Sequence, residues 1–184
     1  EIDGAALNFS SPKKCLQAGV AFVPVERKLE GLVLIQSVAG NIMTAYYETG
    51  THGFIVNHSK ETKIVEKWIH DLAIKTPGSD TLTNTLSGGN QQKVVLAKWL
   101  EVNPKVIILN EPTRGIDVGT KADIYHLLNR LCEQGVSVIM ITSEMPELLA
   151  MSDNVLVMHE GKQQAIFKRD ELTETNIMAA AIGG

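Results

Sequence analysis

The sequence predicts an α/β fold, a mainly parallel sheet flanked by helices with a helical region set into it. Three observations carry this. Short runs rich in β-branched residues recur as VIIL (106–109), VSVIMI (136–141) and VLVM (155–158). Continuous apolar strands of that kind are buried on both faces, as in parallel sheets. Between the first two lies TKADIYHLLNRLCEQG, where Ile124, Leu127, Leu128 and Leu131 fall at i, i+3, i+4 and i+7, the stripe of a core-facing helix. Strand, helix, strand at this spacing is a βαβ unit with a right-handed crossover.

Taken in order, residues 1–36 form a first region, with 1–28 read as strand and loop. The opening EIDGAALNF starts as if partway through a strand or hairpin, and a piece of a larger protein is expected. Residues 37–100 form a second, mostly helical region. In ETKIVEKWIHDLAI (61–74), Ile64, Val65, Trp68, Ile69 and Leu72 share one helical stripe, and in NQQKVVLAKWL (90–100) Val94, Ala97 and Leu100 line up. KTPGSDTLTNT separates the two.

Residues 101–184 form the third region, the α/β core. Thr120 with Asp123 three residues on supplies a start for the crossover helix, and Gly135 its stop. SEMPELLA reads as a short helix with Ser143 as N-cap and Pro146 in the first turn. EGK (160–162) reads as a tight turn joining VLVM to QQAIF in an antiparallel hairpin at the sheet's edge. A terminal helix is expected from about Asp170 to Ala181.

Length and composition set bounds. A chain of 184 residues, 44% hydrophobic and 21% charged, buries a sizeable core as an ordinary globular protein. A net charge of −4 gives no basic face for nucleic acid. No apolar run reaches the roughly 18–20 residues that span a bilayer. Cys15 and Cys132 have no metal-ligand spacing and read as reduced, packed thiols. The five histidines show no ligand spacing either, so no metal site is assigned. Trp68 and Trp99 read as packing residues, and KRDE (168–171) as a solvated helix start.

Two motifs carry chemistry. LSGGNQQ (86–92) leads directly into a helix, with Ser87 as N-cap and Gly88 and Gly89 allowing a close backbone approach. A helix start of this kind suits a phosphate, because unpaired N–H groups and the dipole both favour an anion. The same residues also suit a flexible turn before a surface helix. In VIILNEPTRGID (106–117), Asn110 and Glu111 stand at the end of a buried strand, where open α/β sheets bind ligands. Glu111 can polarise a water for attack on a phosphoryl group, or it can serve as a turn or helix cap.

LSGGNQQKVVLAKWL, then VIILNEPTRGIDVGTK, then ITSEMPELLAMSDNVLVMHEGK resembles the ATP-binding subunits of ABC transporters. It looks most like the second nucleotide-binding half of the tandem ATPase subunits of bacterial monosaccharide importers, the ribose, galactose and xylose group. SPKKCLQAGVAFVPVERKLEGLVLIQSV and the ending NIMAAAIGG fit that half, nearest the ribose type. The resemblance implies a partial ABC-type ATPase domain with a helical signature subdomain. It implies that Leu86, Ser87, Gly88, Gly89, Asn90 and Gln91 form a signature motif contacting the γ-phosphate of ATP on the opposite nucleotide-binding domain. Glu111 falls at the catalytic base, and Gly115, Ile116 and Asp117 at the D-loop. Asn110 stands where an Asp holds Mg²⁺, Ser143 where a switch histidine stands, and Val25 where a Gln or Glu senses the metal.

The departures sort by side. No G-x-x-x-x-G-K-[ST] occurs in these residues. An Asn binds Mg²⁺ less well than an Asp, Ser143 cannot hold a proton as histidine does, and Val25 coordinates nothing. By the resemblance all of these would serve ATP on the chain's own surface, whereas the signature and D-loop, which would serve the partner's ATP, read intact.

The resemblance therefore implies ATP and Mg²⁺ as cofactors of the full assembly, neither held tightly by these residues alone. Its partners would be a second nucleotide-binding domain in the same chain or a dimer mate, membrane permease subunits docking near GLVLIQSVAGNIM (31–43), and indirectly a periplasmic sugar-binding protein. The expected location is the cytoplasmic face of the bacterial inner membrane. Two rival functions are a catalytically silent half that only completes the dimer, and a soluble ATPase of DNA repair or ribosomes. The second is disfavoured by the absence of a basic stripe, coiled-coil insertion or zinc-type cysteines.

Overall fold

The computed structural model describes residues 1–4, 6, 11–48 and 57–183. Most of the opening stretch read from EIDGAALNF lies outside them. The chain divides into two compact units, Glu1–Ile141 and Thr142–Gly184.

In the first unit a helix precedes the first strand. Helix α1 (Pro12–Gln17) is capped by Ser11, whose hydroxyl accepts from the Lys14 amide, and Pro12 sits in its first turn. This corrects the strand-and-loop reading of 1–28. The signal was a Ser-Pro pair, a cap followed by a residue preset for the first helical position.

Strands β1 (Val20–Val23), β2 (Val106–Asn110) and β3 (Ser137–Ile141) then make a sheet in the order β1-β2-β3, with both pairings parallel. Val23, Leu109 and Met140 stand side by side across it. Ala21, Val23, Ile107 and Leu109, alternate residues on one face, are fully buried. Phe22, Ile108 and Ile139 stand in register on the other face, and Phe22 and Ile139 are exposed. The expectation of burial on both faces is thus met on one side only. Among the described residues of this unit, helices pack on β1 and β3.

Residues 38–100 lie between two strands that are neighbours in the sheet. They hold α2 (Val38–Glu48), α3 (His58–Asp71), a 3₁₀ turn (Thr83–Thr85) and α4 (Gly88–Leu100). α3 starts before the expected Glu61 because Asn57 caps it, accepting from the Lys60 amide. Trp68 donates its indole N–H to Glu101 at 2.6 Å, a packing role with a satisfied polar tip.

The reading of α4 as a helix with one apolar stripe is corrected. Gln91 through Lys98 are buried without a break, because α2, β1 and α5 (Val118–Glu133) all pack against it. Its polar residues consequently need internal partners. Lys93 pairs with Asp123 of α5 at 2.7 Å, and Lys98 donates to the Gly31 carbonyl at 2.5 Å.

α5 buries Ile124, Leu127, Leu128 and Leu131, the stripe legible in the sequence. Gly135, at φ +87°, ends it, with the Val136 amide closing back onto Leu131. Its start differs from the Thr120–Asp123 expectation. Asp117 is the cap, accepting from the Thr120 amide at 2.9 Å, while Asp123 is engaged by Lys93.

The second unit contains α6 (Met145–Met151), β4 (Asn154–His159), β5 (Lys162–Lys168), a 3₁₀ turn (Arg169–Glu171) and α7 (Glu174–Ile182). Its core is Val155, Val157 and Ile177, with Leu148, Leu149 and Phe167 packed around them. The hairpin turns through Glu160 and Gly161, both at positive φ as a two-residue type I′ turn requires. It forms its own two-stranded sheet rather than an edge of the parallel one. VLVM is accordingly antiparallel, with alternating burial.

Two caps also differ from expectation in this unit. Glu144, not Ser143, immediately precedes α6, and Thr142 takes the polar role by accepting from the Glu144 amide and donating to Glu147. The terminal helix begins only after Thr173, whose hydroxyl accepts from the Asn176 amide. The stretch from Asp170 is a 3₁₀ turn first.

Candidate functional site

The site is built where α4 begins. Ser87 is extended and its hydroxyl accepts from the Asn90 amide at 3.4 Å and from the Asn90 side chain at 2.9 Å. Asn90 in turn accepts from the Lys75 amide at 2.8 Å. Ser87 is exposed, so the helix start it caps faces outward. Leu86 is half-buried behind it, with its amide on the Thr83 carbonyl. Gln91 belongs to the interior: it is 3% exposed and donates to the Thr83 carbonyl at 3.1 Å. It holds the loop from behind and is not presented to a ligand.

The second glycine has a cause inside the chain. A Cβ at Gly89 would lie 2.7 Å from Oγ1 and 2.9 Å from Cγ2 of Thr120. A Cβ at Gly88 would lie 2.6 Å from Nη2 of Arg27 and 3.4 Å from the carbonyl oxygen of Gly115. The contact at Gly89 is closer than real side chains make, so α4 needs a glycine where it meets Thr120, whereas at Gly88 only the movable tip of Arg27 would have to shift. This adds a third account to the phosphate cradle and the flexible turn.

That segment begins at the end of β2. Asn110 is the last strand residue, paired with Ile141 and half-buried. Glu111 continues the pairing by one bond, its amide donating to the Ile141 carbonyl at 2.8 Å, but its φ is +48°. A left-handed backbone is uncommon for a residue with a side chain and is often found at functional positions. The chain then turns through Pro112 and Thr113, both buried, and the Arg114 amide returns to the Glu111 carbonyl at 3.2 Å. Gly115, at φ +67°, redirects it past half-buried Ile116 into Asp117.

Asp117 accepts from both the amide and the hydroxyl of Thr120, at 2.9 and 2.8 Å. The Thr120 amide, then its hydroxyl, holds the carboxyl below the usual carboxylate range. The residue read as D-loop therefore also caps α5 and pins the Thr120 side chain that Gly89 packs against.

The structure brings Leu86–Gln91 and Gly115–Asp117 together, as the contacts at Gly88 and Gly89 show. Val25 is half-buried just after β1. Ser143 is exposed and belongs to the second unit. Among the described residues no group of three His, Cys, Asp or Glu side chains could hold a metal ion. Neither cysteine is in a disulfide.

Three contributors escaped the sequence reading. Arg27 reaches the SGG loop and Arg114 from a π-helical turn, Arg27–Gly31. Thr120 is the surface against which Gly89 fits. Asn41, buried, accepts from the Val33 amide and donates to the Val33 and Ser37 carbonyls and the Thr83 hydroxyl. The only sequence signal for Asn41 was an amide inside the otherwise apolar VAGNIM.

A family model described as ABC transporter matches residues 1–114. The chain belongs to the ABC transporter family. Over its whole length it is 49% identical to the ribose import ATP-binding protein RbsA of Geobacillus kaustophilus, of which it covers 37%. It is 46% identical to the xylose import ATP-binding protein XylG of Thermoanaerobacter pseudethanolicus, covering 36% of that protein. A putative ribose/galactose/methyl galactoside import ATP-binding protein of Rhizobium etli is also 46% identical, with 35% covered. The chain thus spans little more than a third of the curated relatives it matches.

The fold agrees. The ATP-binding cassette MJ0796, in a dimeric post-hydrolysis state bound to ADP and Pi, superposes with a TM-score of 0.76 at 20% identity. That match covers 91% of this chain and 72% of the cassette. The cassette MJ1267 superposes with a TM-score of 0.75, also at 20% identity, covering 95% of this chain and 72% of that one.

Proposed function

We propose that this chain is part of the ATP-binding subunit of a bacterial monosaccharide importer, of ribose-like specificity, and that it presents its signature loop to ATP held by a partner nucleotide-binding domain. The observation that carries the reading is an imbalance. The loop Leu86–Asn90 and the segment Gly115–Asp117 are packed into one built junction beside an outward-facing helix start. The positions that would serve the chain's own nucleotide offer an amide at Asn110, a hydroxyl at Ser143 and a hydrocarbon at Val25.

The donor chemistry fits ATP better than it fits Mg²⁺. Ser87 and the first-turn amides of α4 suit phosphate oxygens. Asn110 and Val25 add no negative charge, so Mg²⁺ would be held mainly by the partner site and the nucleotide itself. Glu111 occupies the base position, on a backbone kept in the left-handed region.

In this reading residues 37–100 act as the signature-bearing subdomain between the strand-and-loop region 1–36 and the α/β core 101–184. The subunit works at the cytoplasmic face of the inner membrane with permease subunits, which receive sugar from a periplasmic binding protein. GLVLIQSVAGNIM is the permease contact: Ile35 is 81% exposed and Val33 is exposed beside it, while the α2 residues that follow are buried. No helix among the described residues is long and apolar enough to cross a membrane.

A second reading makes this half a silent scaffold that only completes the dimer, and Asn110, Ser143 and Val25 favour it. One experiment separates the two. In the full-length tandem subunit, Ser87→Arg should abolish ATP turnover and Glu111→Gln should spare most of it. Loss on Glu111→Gln with Ser87→Arg harmless would reverse the assignment. Turnover unaffected by either would leave the scaffold reading.

A further inference from the structure

Between β1 and α2 the chain makes the π-helical turn Arg27–Gly31, a rare geometry that recurs at functional positions. The turn lies along α4 and is fastened to it at two places. At one, Lys98 donates to the Gly31 carbonyl at 2.5 Å, and Gly31 fits so closely that a Cβ there would lie 3.1 Å from Val95. At the other, Arg27 reaches the start of α4.

The Arg27 guanidinium joins two loops at once. Its Nη1 donates to the carbonyl of Arg114 at 3.0 Å, in the segment leading to Asp117. Its Nη2 lies against Gly88, 2.6 Å from where a Cβ would stand, so a side chain there would have to displace the guanidinium. Nε is buried, and among the described residues it has no hydrogen-bond partner. Next to it, Glu26 faces the Arg114 side chain at 3.8 Å, a largely exposed pair of little energetic weight.

A cation beside the N-terminus of α4 sits at the positive end of the helix dipole, which disfavours it. An arginine kept there against that field, with one buried donor unused, is poorly explained by stability alone. Its reach does explain it, since the one group donates to the segment leading to Asp117 and lies against the signature loop.

We propose that Arg27 is a positioning residue for the signature: by clasping the Arg114 carbonyl and the flank of Gly88 it fixes the 87–89 loop and the 115–117 segment in one geometry, so that both meet the partner's nucleotide together. The proposal rests on the in-trans reading given above. It assigns Arg27 no contact with nucleotide. Affinity for ATP would reside in the partner's own phosphate-binding residues, so loss of the clasp acts on turnover and not on binding. Leu29, 82% exposed at the outside of the same turn, leaves that side of the clasp open to solvent.

The test uses the full-length subunit, with steady-state ATPase and thermal unfolding measured on Arg27→Gln, Arg27→Lys and Ser87→Arg. Arg27→Gln should lower kcat about tenfold while KM for ATP stays within about twofold. Its unfolding midpoint should stay within about 2 °C of wild type. Arg27→Lys should recover a substantial part of kcat, because an ammonium can still donate to the Arg114 carbonyl. The proposal is overturned if kcat is unchanged in Arg27→Gln, if KM rises with it, if activity falls only in step with the unfolding midpoint, or if Lys is no better than Gln. Should Ser87→Arg abolish turnover while Arg27→Gln leaves kcat unchanged, the in-trans reading stands and only the clasp fails. Should Ser87→Arg be harmless, both fail.

Discussion

Gly89 and Thr120 are packed so closely that no side chain fits between them. A Cβ at Gly89 would meet Oγ1, Cγ2 and Cβ of Thr120 at 2.7, 2.9 and 3.1 Å. Thr120 cannot swing aside cheaply, because its hydroxyl donates to Asp117 and its β-branched side chain is stiff. Gly89→Ala should therefore destabilise the protein by about 1–3 kcal/mol, the usual range for an overpacked site. Urea unfolding of the full-length protein checks this, and Thr120→Ala in the same chain should return most of the loss. A neutral Gly89→Ala would mean the loop yields freely, and the internal account of the second glycine would fail.

Asn41 is the polar key of the helical region. It is 1% exposed and serves Val33, Ser37 and Thr83 at once, tying the segment before α2 to the turn before the signature. Asn41→Ala leaves the Val33 amide and the Val33 and Ser37 carbonyls without this partner and frees the Thr83 hydroxyl, at about 1–3 kcal/mol for each unmatched group. A total loss of about 2–4 kcal/mol is expected in denaturant unfolding. Thr83→Val, which removes the hydroxyl's bonds to Asn41 and the Gln36 carbonyl but leaves Asn41 its backbone partners, should cost less.

Lys98 should make stability depend on alkaline pH. Burial pushes its pKa from 10.5 down to about 8. The folded chain then carries the full cost of a buried charge below pH about 8, and the unfolded chain binds more protons between about 8 and 10.5. Stability should rise with pH through that window. Lys98→Met should remove this rise, seen as the difference between the unfolding free energies of variant and wild type across the window. A difference that stays flat would show that the ammonium is not penalised in the fold.

Asp117 gives a slope of the same sign at acid pH, though here the fold favours the charged form. The Thr120 amide and hydroxyl hold its carboxyl below the usual range, so its contribution is present above the unfolded value and is lost as pH falls through the folded one. Asp117→Asn keeps an acceptor at the cap and should lose the acid dependence. Asp117→Ala should lower stability at every pH above that transition. Thermal unfolding from acid to neutral pH distinguishes the three chains.

Local chemistry determined a good deal of this protein. The four-residue stripe of α5, its glycine stop, the I′ turn at Glu160–Gly161 and the Ser87 cap each follow from a few neighbouring residues, and each is found where the sequence places it. The ordered motifs from LSGGNQQ to VIILNEPTRGID were enough to reach the family. What failed locally was choice among close competitors. Asp117 and Thr120 are both good caps, and only the engagement of Asp123 by Lys93 shows which one serves.

The rest is long-range and was decided by tertiary structure. The antiparallel pairing of VLVM with QQAIF was legible from the EGK turn, but whether that hairpin joins the parallel sheet is not written in either strand, and it forms a sheet of its own. α4 shows a stripe in sequence yet is buried all round, because three elements that are distant in sequence converge on it. The second glycine of the signature has a further reason to be glycine only once Thr120, 31 positions downstream of Gly89, is placed beside it, and Arg27, 61 positions upstream of Gly88, reaches the same loop only in the fold. Steric exclusion of that kind is a property of packed surfaces, and no window of sequence contains both of the surfaces that meet.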